Sequence, residues 1–137
     1  MIKTNPLTEE RRAFMEKCGY TADTVFPDYD VEELKAKLLA SGGSAVVFMG
    51  SLPKRKTLLN KGVFMDGADA RLWKLKQSKC HENVEWILGK YPKFKGYTGF
   101  CLDLDGIWRT HSIAYDTVKN QIIETTQKRL AYYMIKF

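Results

Sequence analysis

A chain of 137 residues with 45% hydrophobic and 28% charged side chains is long enough for one domain with a buried core. It has no apolar run of the roughly 18–20 residues that a membrane span needs, and residues 1–6 lack the apolar part of a secretory signal. Three cysteines, Cys18, Cys80 and Cys101, are an odd number, so we expect free thiols and no disulfide framework. These features predict a single cytoplasmic domain, 1–137, that does not enter a membrane.

The net charge of +6 is unevenly distributed along the chain. Residues 51–79 carry eight basic and two acidic side chains, whereas residues 1–50 carry six basic and eight acidic ones. The basic 54–79 segment could bind an anionic partner such as nucleic acid, an acidic protein or a phosphorylated ligand. A solvated surface without a partner is the simpler interpretation of the same segment.

The first half of the chain predicts helices followed by one strand. A first helix is expected over residues 8–18, and a second helix begins with Asp30 as N-cap and ends at the Gly42-Gly43 pair. The short apolar run 44–49 predicts a strand. No helix or strand is assigned within residues 52–77, where only Asp66-Gly67 is typical of a turn.

The second half predicts one helix and then a sheet. The helix begins at Ser78 as N-cap and ends near Gly89. Short turns, including the Asp-Gly pair at 105–106, connect the strands that follow and predict an antiparallel meander over residues 97–102, 107–115, 121–126 and 130–137. Helices first and strands last indicate an α+β fold.

Cys80 is the candidate nucleophile. It lies in the first turn of the predicted helix, where the helix dipole and the unpaired backbone N–H groups favour a thiolate. The neighbouring Lys79 and His81 act in the same direction, and the free N–H groups could also hold an oxyanion. A small buried residue on the inner face of an amphipathic helix is the alternative interpretation of Cys80.

His111 and Glu124 are the candidate partners of that thiol. His81 is a poor base for Cys80 because adjacent helical residues point about 100° apart. His111 lies within a predicted strand, and a four-residue turn that pairs Tyr115 with Asn120 places Glu124 directly opposite His111. A slip of one residue would bring Thr125 opposite instead. Alternatively, His111 makes a core hydrogen bond and Glu124 lies on the surface.

The order of these three residues carries a resemblance to a known group of proteins. A cysteine in Cys80-His81-Glu82-Asn83, a histidine in Trp108-Arg109-Thr110-His111-Ser112 and a polar residue in Ile123-Glu124-Thr125-Thr126 resemble the papain-like superfamily, including its NlpC-type peptidases and transglutaminase-like proteins. The resemblance covers about residues 78–126. It differs from papain at His81, where papain has an aromatic residue, and at Glu124, where asparagine, aspartate or histidine is commoner.

The resemblance implies a papain-like α+β fold and a cysteine hydrolase or acyltransferase that acts on an amide or ester. Cys80, His111 and Glu124 would form the catalytic triad, and a small molecule, a peptide or a protein would be the substrate. Gln77, Asn83 and Trp108 are the candidate substrate-binding residues, although tryptophans more often belong to a core. A non-catalytic module that binds nucleic acid or an acidic protein through the basic 54–79 segment is the second hypothesis.

A metal site is the third hypothesis considered for these side chains. Zinc-type ligands are present in Cys80, His81, Cys101 and His111, but no Cys-x-x-Cys or His-x-x-x-His spacing joins them. We therefore expect no metal and no cofactor.

Overall fold

The computed structural model describes residues 9–17, 28–48 and 54–136. Within these ranges the chain forms four helices and seven strands. The helices are α1 (Glu9–Lys17), α2 (Tyr29–Ser41), α3 (Arg55–Lys61) and α4 (Cys80–Lys90). The strands are β1 (Ala45–Val47), β2 (Val63–Asp66), β3 (Arg71–Leu72), β4 (Phe94–Leu102), β5 (Ile107–Asp116), β6 (Gln121–Glu124) and β7 (Ala131–Lys136).

All seven strands belong to one mixed sheet. Its main path runs β2-β7-β4-β5-β6-β3, and β1 pairs with β5. The β4, β5, β6 and β7 contacts are antiparallel, whereas β1 pairs with β5, and β3 with β6, in parallel. The predicted α+β class is therefore correct at this level. The predicted meander is wrong at its last step, because β7 pairs with β4 and β2 and not with β6.

The predicted helices are present, with differences at their beginnings. In α2 the N-cap is Asp28 and not Asp30: the Asp28 carboxylate accepts a hydrogen bond from the Val31 N–H at 3.2 Å, and the helix ends at Gly42 as expected. The predicted first helix overlaps α1, while Thr8, Cys18 and the chain from Gly19 to Pro27 lie outside the described residues. The 52–77 stretch contains α3, β2 and β3, none of which the sequence pattern predicted.

The sheet separates two layers of buried side chains. On the helix side, α2 and α3 cover one cluster around Trp108 and Tyr133, and α4 covers another around Val84 and Ala114. On the other side lies a third cluster that contains Cys101, Ile113, Ile122, Tyr132 and Met134. Because side chains alternate along a strand, His111 lies on the side of Ile113, and Trp108 and Ala114 lie on the helix side. No helix in the described ranges is long and apolar enough to cross a bilayer.

Candidate functional site

Cys80 is the first residue of α4, immediately after a tight turn. Ser78 has a φ of +59°, a left-handed conformation that L-residues adopt rarely, and it reverses the chain before the helix starts. The N-cap is Lys79 and not the predicted Ser78, and no side chain caps the helix. The backbone N–H groups of the first turn therefore keep their donor capacity at the end where Cys80 lies.

The thiol of Cys80 meets the sheet at an unpaired part of the β5 edge. β4 pairs with one side of β5 along residues 108–116. On the opposite side β1 pairs with residues 107–109 and β6 with residues 114–116, and no described strand pairs with residues 110–113 on that side. The backbone N–H of Ser112, within this gap, and the N–H of His81 both lower the pKa of the Cys80 thiol. Two strands that stop short of each other thus leave room for the helix terminus.

Two side-chain amides hold the start of α4 against the chain after β6. The Nδ2 of Asn83 donates to the carbonyl of Lys76 at 2.8 Å and to the Thr125 hydroxyl at 3.2 Å. The Nε2 of Gln77 donates to the Thr126 carbonyl at 2.9 Å. Both amides were predicted to contact substrate. In the structure their N–H groups instead bond to the protein itself and fix the start of α4, with Cys80, relative to the chain that follows Glu124. Asn83 is buried.

His111 and Glu124 are in direct contact, although the predicted register is wrong. The turn occupies residues 117–120, so Asp116 pairs with Gln121, and continuing this register sets Glu124 across from Ile113. That is a shift of two residues, which keeps Glu124 on the side of the sheet that carries His111. The Nε2 of His111 lies 2.8 Å from Oε1 of Glu124, and both side chains are buried. Thr125 does not replace Glu124, since its hydroxyl bonds to Asn83.

Glu124 is a fully buried carboxylate whose two oxygens are both occupied. Oε1 accepts from the hydroxyl of Tyr132 at 2.9 Å as well as facing His111, and Oε2 accepts from the N–H and the hydroxyl of Thr126, both at 3.0 Å. The Nε of Arg129 lies 3.6 Å from Oε1. A buried carboxylate is stable as an anion only with such partners. The interpretation of Glu124 as a surface residue is therefore wrong.

A chain of buried and half-buried charges continues from Glu124. Asp103 receives hydrogen bonds from Arg129 and Arg109, and Arg109 also bonds to Asp105 at 2.8 Å. Arg129 connects this network back to Glu124, because it donates to the Thr126 hydroxyl at 2.9 Å and that hydroxyl donates to Glu124. This network fixes Arg129 beside Glu124. Neither Arg129 nor Tyr132 was identified from the sequence, because both follow β6 in a part of the chain that carries no motif.

The ionisation of the thiol and the imidazole is coupled. Burial raises the pKa of Cys80, but the hydrogen bond and charge of His111 and the N–H groups of Ser112 and His81 outweigh burial, and the pKa lies below its ordinary value. Burial lowers the pKa of His111, but its bonds to Cys80 and Glu124 raise the pKa overall. The lowered pKa of Cys80 and the raised pKa of His111 both favour a thiolate beside an imidazolium. Since Nε2 faces Glu124, Nδ1 is the ring nitrogen left for the thiol.

The pKa of Glu124 is shifted in favour of the charged form as well. Burial raises its pKa, whereas the hydrogen bond and charge of His111, the N–H of Thr126 and the charge of Arg129 lower it more, so the pKa falls below its ordinary value. The imidazolium is therefore held between two anions, the thiolate and the carboxylate. This is the arrangement that an activated cysteine requires.

Two other candidate residues lie away from this constellation. Trp108 is completely buried in the cluster on the helix side of the sheet, where its Nε1 donates to the Gly42 carbonyl at 3.0 Å. It packs and does not face His111. Cys101 is completely buried and the pKa of its thiol is raised well above the ordinary value, chiefly by burial. Of the two cysteines described, Cys80 has the lowered thiol pKa and Cys101 the raised one.

Within the described residues, Cys80, His81, Cys101 and His111 do not come together as a metal-binding group. Among the described residues, no group of three or more His, Cys, Asp or Glu side chains is placed to hold a metal ion.

Comparison of the chain with protein-family models, with curated proteins and with solved structures found no match.

Proposed function

We propose that this protein is a cysteine hydrolase or acyltransferase with a papain-like site, acting on an amide or ester through Cys80, His111 and Glu124. The observation that carries the proposal is the His111 ring, whose Nε2 lies 2.8 Å from the buried Glu124 carboxylate and whose interaction with Cys80 lowers the pKa of that thiol. A histidine that needed only a core hydrogen bond would not require a fully buried carboxylate with three further hydrogen-bond donors around it.

In the proposed first step the Cys80 thiolate attacks the acyl carbon of the substrate. The carbonyl oxygen becomes an oxyanion, and the uncapped N–H groups at the start of α4 are the donors best placed to stabilise it. The tetrahedral intermediate collapses, the His111 imidazolium gives its proton to the departing amine or alcohol, and a thioester remains on Cys80.

In the second step the neutral His111 takes a proton from water or from an amine as that nucleophile attacks the thioester. Collapse of the second intermediate returns the thiolate, and the imidazolium is restored. Water gives hydrolysis and an amine gives transfer, so the same residues support both reactions. Glu124 keeps the ring oriented and stabilises its positive charge in both steps. A thiol nucleophile acts in reduced form, which fits a cytoplasmic protein.

A small activated ester tests the proposal without knowledge of the natural substrate. Wild-type protein mixed with 4-nitrophenyl acetate should release nitrophenolate in a burst and carry an acetyl group on the Cys80 peptide in mass spectrometry. Cys80→Ala should abolish the burst, and His111→Gln should slow it. Cys101→Ala is the matched control and should leave the burst unchanged, because that thiol is buried.

Two outcomes would contradict the proposal. Acetylation of lysines or of Cys101 at the same rate as Cys80 would mean that the thiol is not activated. A burst of wild-type rate in His111→Gln would mean that the imidazole takes no part. Addition of a primary amine separates the two reaction classes, since faster loss of the acetyl group from Cys80 indicates transfer.

A further inference from the structure

Two separate segments of the chain form one surface that is both aromatic and basic. Residues 71–76 and 86–95, here called the aromatic–basic surface, contain six lysine or arginine side chains and no acidic one. Their combined charge equals the net charge of the whole protein, +6. Only residues 71–76 of the basic 54–79 segment belong to this surface, and the fold supplies its other half from the end of α4 and the start of β4.

The ring of Trp73 joins the two segments. Its centroid lies 6.5 Å from that of Trp86, 5.6 Å from Tyr91 and 6.3 Å from Phe94. Phe94 is buried beneath the group, whereas Trp86 and Tyr91 are 45% and 38% exposed. A core that needed only apolar filling would not leave two large rings of one cluster open to solvent.

The backbone of the first segment is fixed in place. The N–H of Trp73 donates to the Glu124 carbonyl and the N–H of Leu75 to the Thr125 carbonyl, both at 2.8 Å. Trp73 and Leu75 are half-buried, and the alternate residues Lys74 and Lys76 are exposed. The segment therefore presents a row of positive charges along a rigid edge, with the aromatic rings on its inner side.

Cations also lie against the rings of this surface. The Nζ of Lys90 is 4.6 Å from the centre of the Trp86 ring, the guanidinium of Arg71 is 5.9 Å from that of Trp73, and the Nζ of Lys93 is 5.1 Å from that of Phe94. Lys93 also pairs with Asp116 at 3.5 Å. Of these three rings Trp86 is the exposed one, and a positive group beside an exposed ring is the combination that single-stranded nucleic-acid sites use.

We propose that the aromatic–basic surface binds single-stranded nucleic acid, with bases stacked on Trp86 and Tyr91 and phosphates bound by the surrounding lysine and arginine side chains. An acidic peptide would use the charges but has no flat rings to stack on the exposed aromatic side chains. A duplex hides its base faces. A single strand is the anionic polymer that offers both kinds of contact. This binding does not depend on the proposed reaction at Cys80.

The first experiment tests stacking. Anisotropy of a labelled oligothymidine of about 12 nucleotides is measured against wild-type protein, Trp86→Ala and Trp86→Phe at low salt. Trp86→Ala should weaken binding by about 5- to 150-fold, the range for loss of one stacking ring. Trp86→Phe should lose less, because it keeps a ring. Both variants change a side chain at the surface and should remain folded, which a cooperative urea unfolding curve would show.

The second experiment tests the position of the charges. Lys74→Ala/Lys76→Ala removes two charges from the surface, and Lys54→Ala/Lys56→Ala removes two exposed charges at α3, which packs with α2 on a different cluster. The first pair should weaken binding and reduce the slope of log K against log salt by about 1.4, as expected for two phosphate contacts with a single strand. The control pair should leave both quantities near the wild-type values.

Four results would overturn the proposal. Equal loss in the two double variants would assign binding to the general positive charge of the chain. Unchanged affinity in Trp86→Ala, or equal affinity for polyglutamate and for the oligonucleotide, would mean that the surface binds polyanions without stacking. Tighter binding of a duplex than of the single strand would also refute the assignment. None of these outcomes bears on the acetylation of Cys80, so the two proposals fail independently.

Discussion

Replacement of Glu124 by glutamine should disable the site through the tautomer of His111. Oε2 accepts the backbone N–H of Thr126, a donor that cannot reverse, so the glutamine carbonyl must take the Oε2 position. Its amide NH₂ group then faces His111 and Tyr132. The Tyr132 hydroxyl can rotate to accept a hydrogen bond. His111 can accept at Nε2 only as a neutral ring with its proton on Nδ1, which presents an N–H group to Cys80 in place of a lone pair.

The expected loss has two measurable parts. Removal of the carboxylate lowers the pKa of His111, and loss of the imidazolium raises the pKa of Cys80. Alkylation of Cys80 by iodoacetamide at about pH 6, followed by peptide mass spectrometry, should therefore slow by about tenfold or more. Acyl transfer should fall by up to about 10⁴-fold, the effect of the same exchange in a Ser-His-Asp triad, and still exceed that of Cys80→Ala.

The free energy of unfolding should fall as well, because Glu124 is fully buried among four donors. Breaking one partner out of such a buried pair costs about 3–5 kcal/mol. The chain supplies a matched control in Glu85, which lies 3.2 Å from the other histidine, His81, with 62% of its side chain exposed. Glu85→Gln should change the free energy of unfolding by less than about 1 kcal/mol.

Urea unfolding and the alkylation assay together test this reasoning. If Glu124→Gln alkylates at Cys80 with the wild-type pH dependence, the carboxylate does not set the charge of the site. If Glu124→Gln and Glu85→Gln are equally stable, the buried contacts around Glu124 contribute nothing beyond those of an exposed pair. Either result would remove Glu124 from the proposed triad.

Two further predictions concern the same carboxylate. Tyr132→Phe removes the 2.9 Å hydrogen bond to Oε1 but keeps the ring stacked on His111. The free energy of unfolding in urea should fall by about 1.5–3 kcal/mol, and Cys80 should be alkylated more slowly than in the wild type but faster than in Glu124→Gln. Wild-type values for both would mean that Tyr132 only packs. Because the pKa of Glu124 is lowered from its ordinary 4.5, its contribution to stability is complete above pH 4.5 and is lost as the pH falls through the folded-state pKa. Wild-type protein should therefore lose more stability than Glu124→Gln between about pH 6 and about pH 3, and parallel curves would contradict the lowered pKa.

The contact between His111 and Glu124 could be predicted because a strand alternates its side chains with a period of two. The predicted turn was displaced by one residue in each strand, which moved the pairing by two positions and left both residues on the same side of the sheet. The predicted register was wrong by two residues, but the predicted face of the sheet was right for both side chains. Alternation is a local property of the chain, and it survives an error in the turn.

The partners of Glu124 could not be predicted because they depend on contacts between distant segments. Tyr132 reaches Glu124 only because β7 pairs with β4, which sets Tyr132 opposite Cys101. A meander would have placed β7 beside β6. Nothing in the local sequence of Ala131–Lys136 distinguishes the two pairings, since an apolar strand suits either neighbour. The same limit applies to β2 and β3, whose pairing partners β7 and β6 lie more than 50 residues away.

The start of α4 differs from its local signals for a reason that follows from the site. Ser78 is a favourable capping residue, and a serine cap would accept one N–H group of the first helical turn. In the structure Ser78 instead takes a left-handed conformation, and the helix begins without a side-chain cap. The His81 N–H, in that turn, is one of the groups that lower the pKa of the Cys80 thiol, so a cap would compete with the sulfur for it. Departure from local preference is expected where the backbone serves a site, and here it occurs two residues before the thiol.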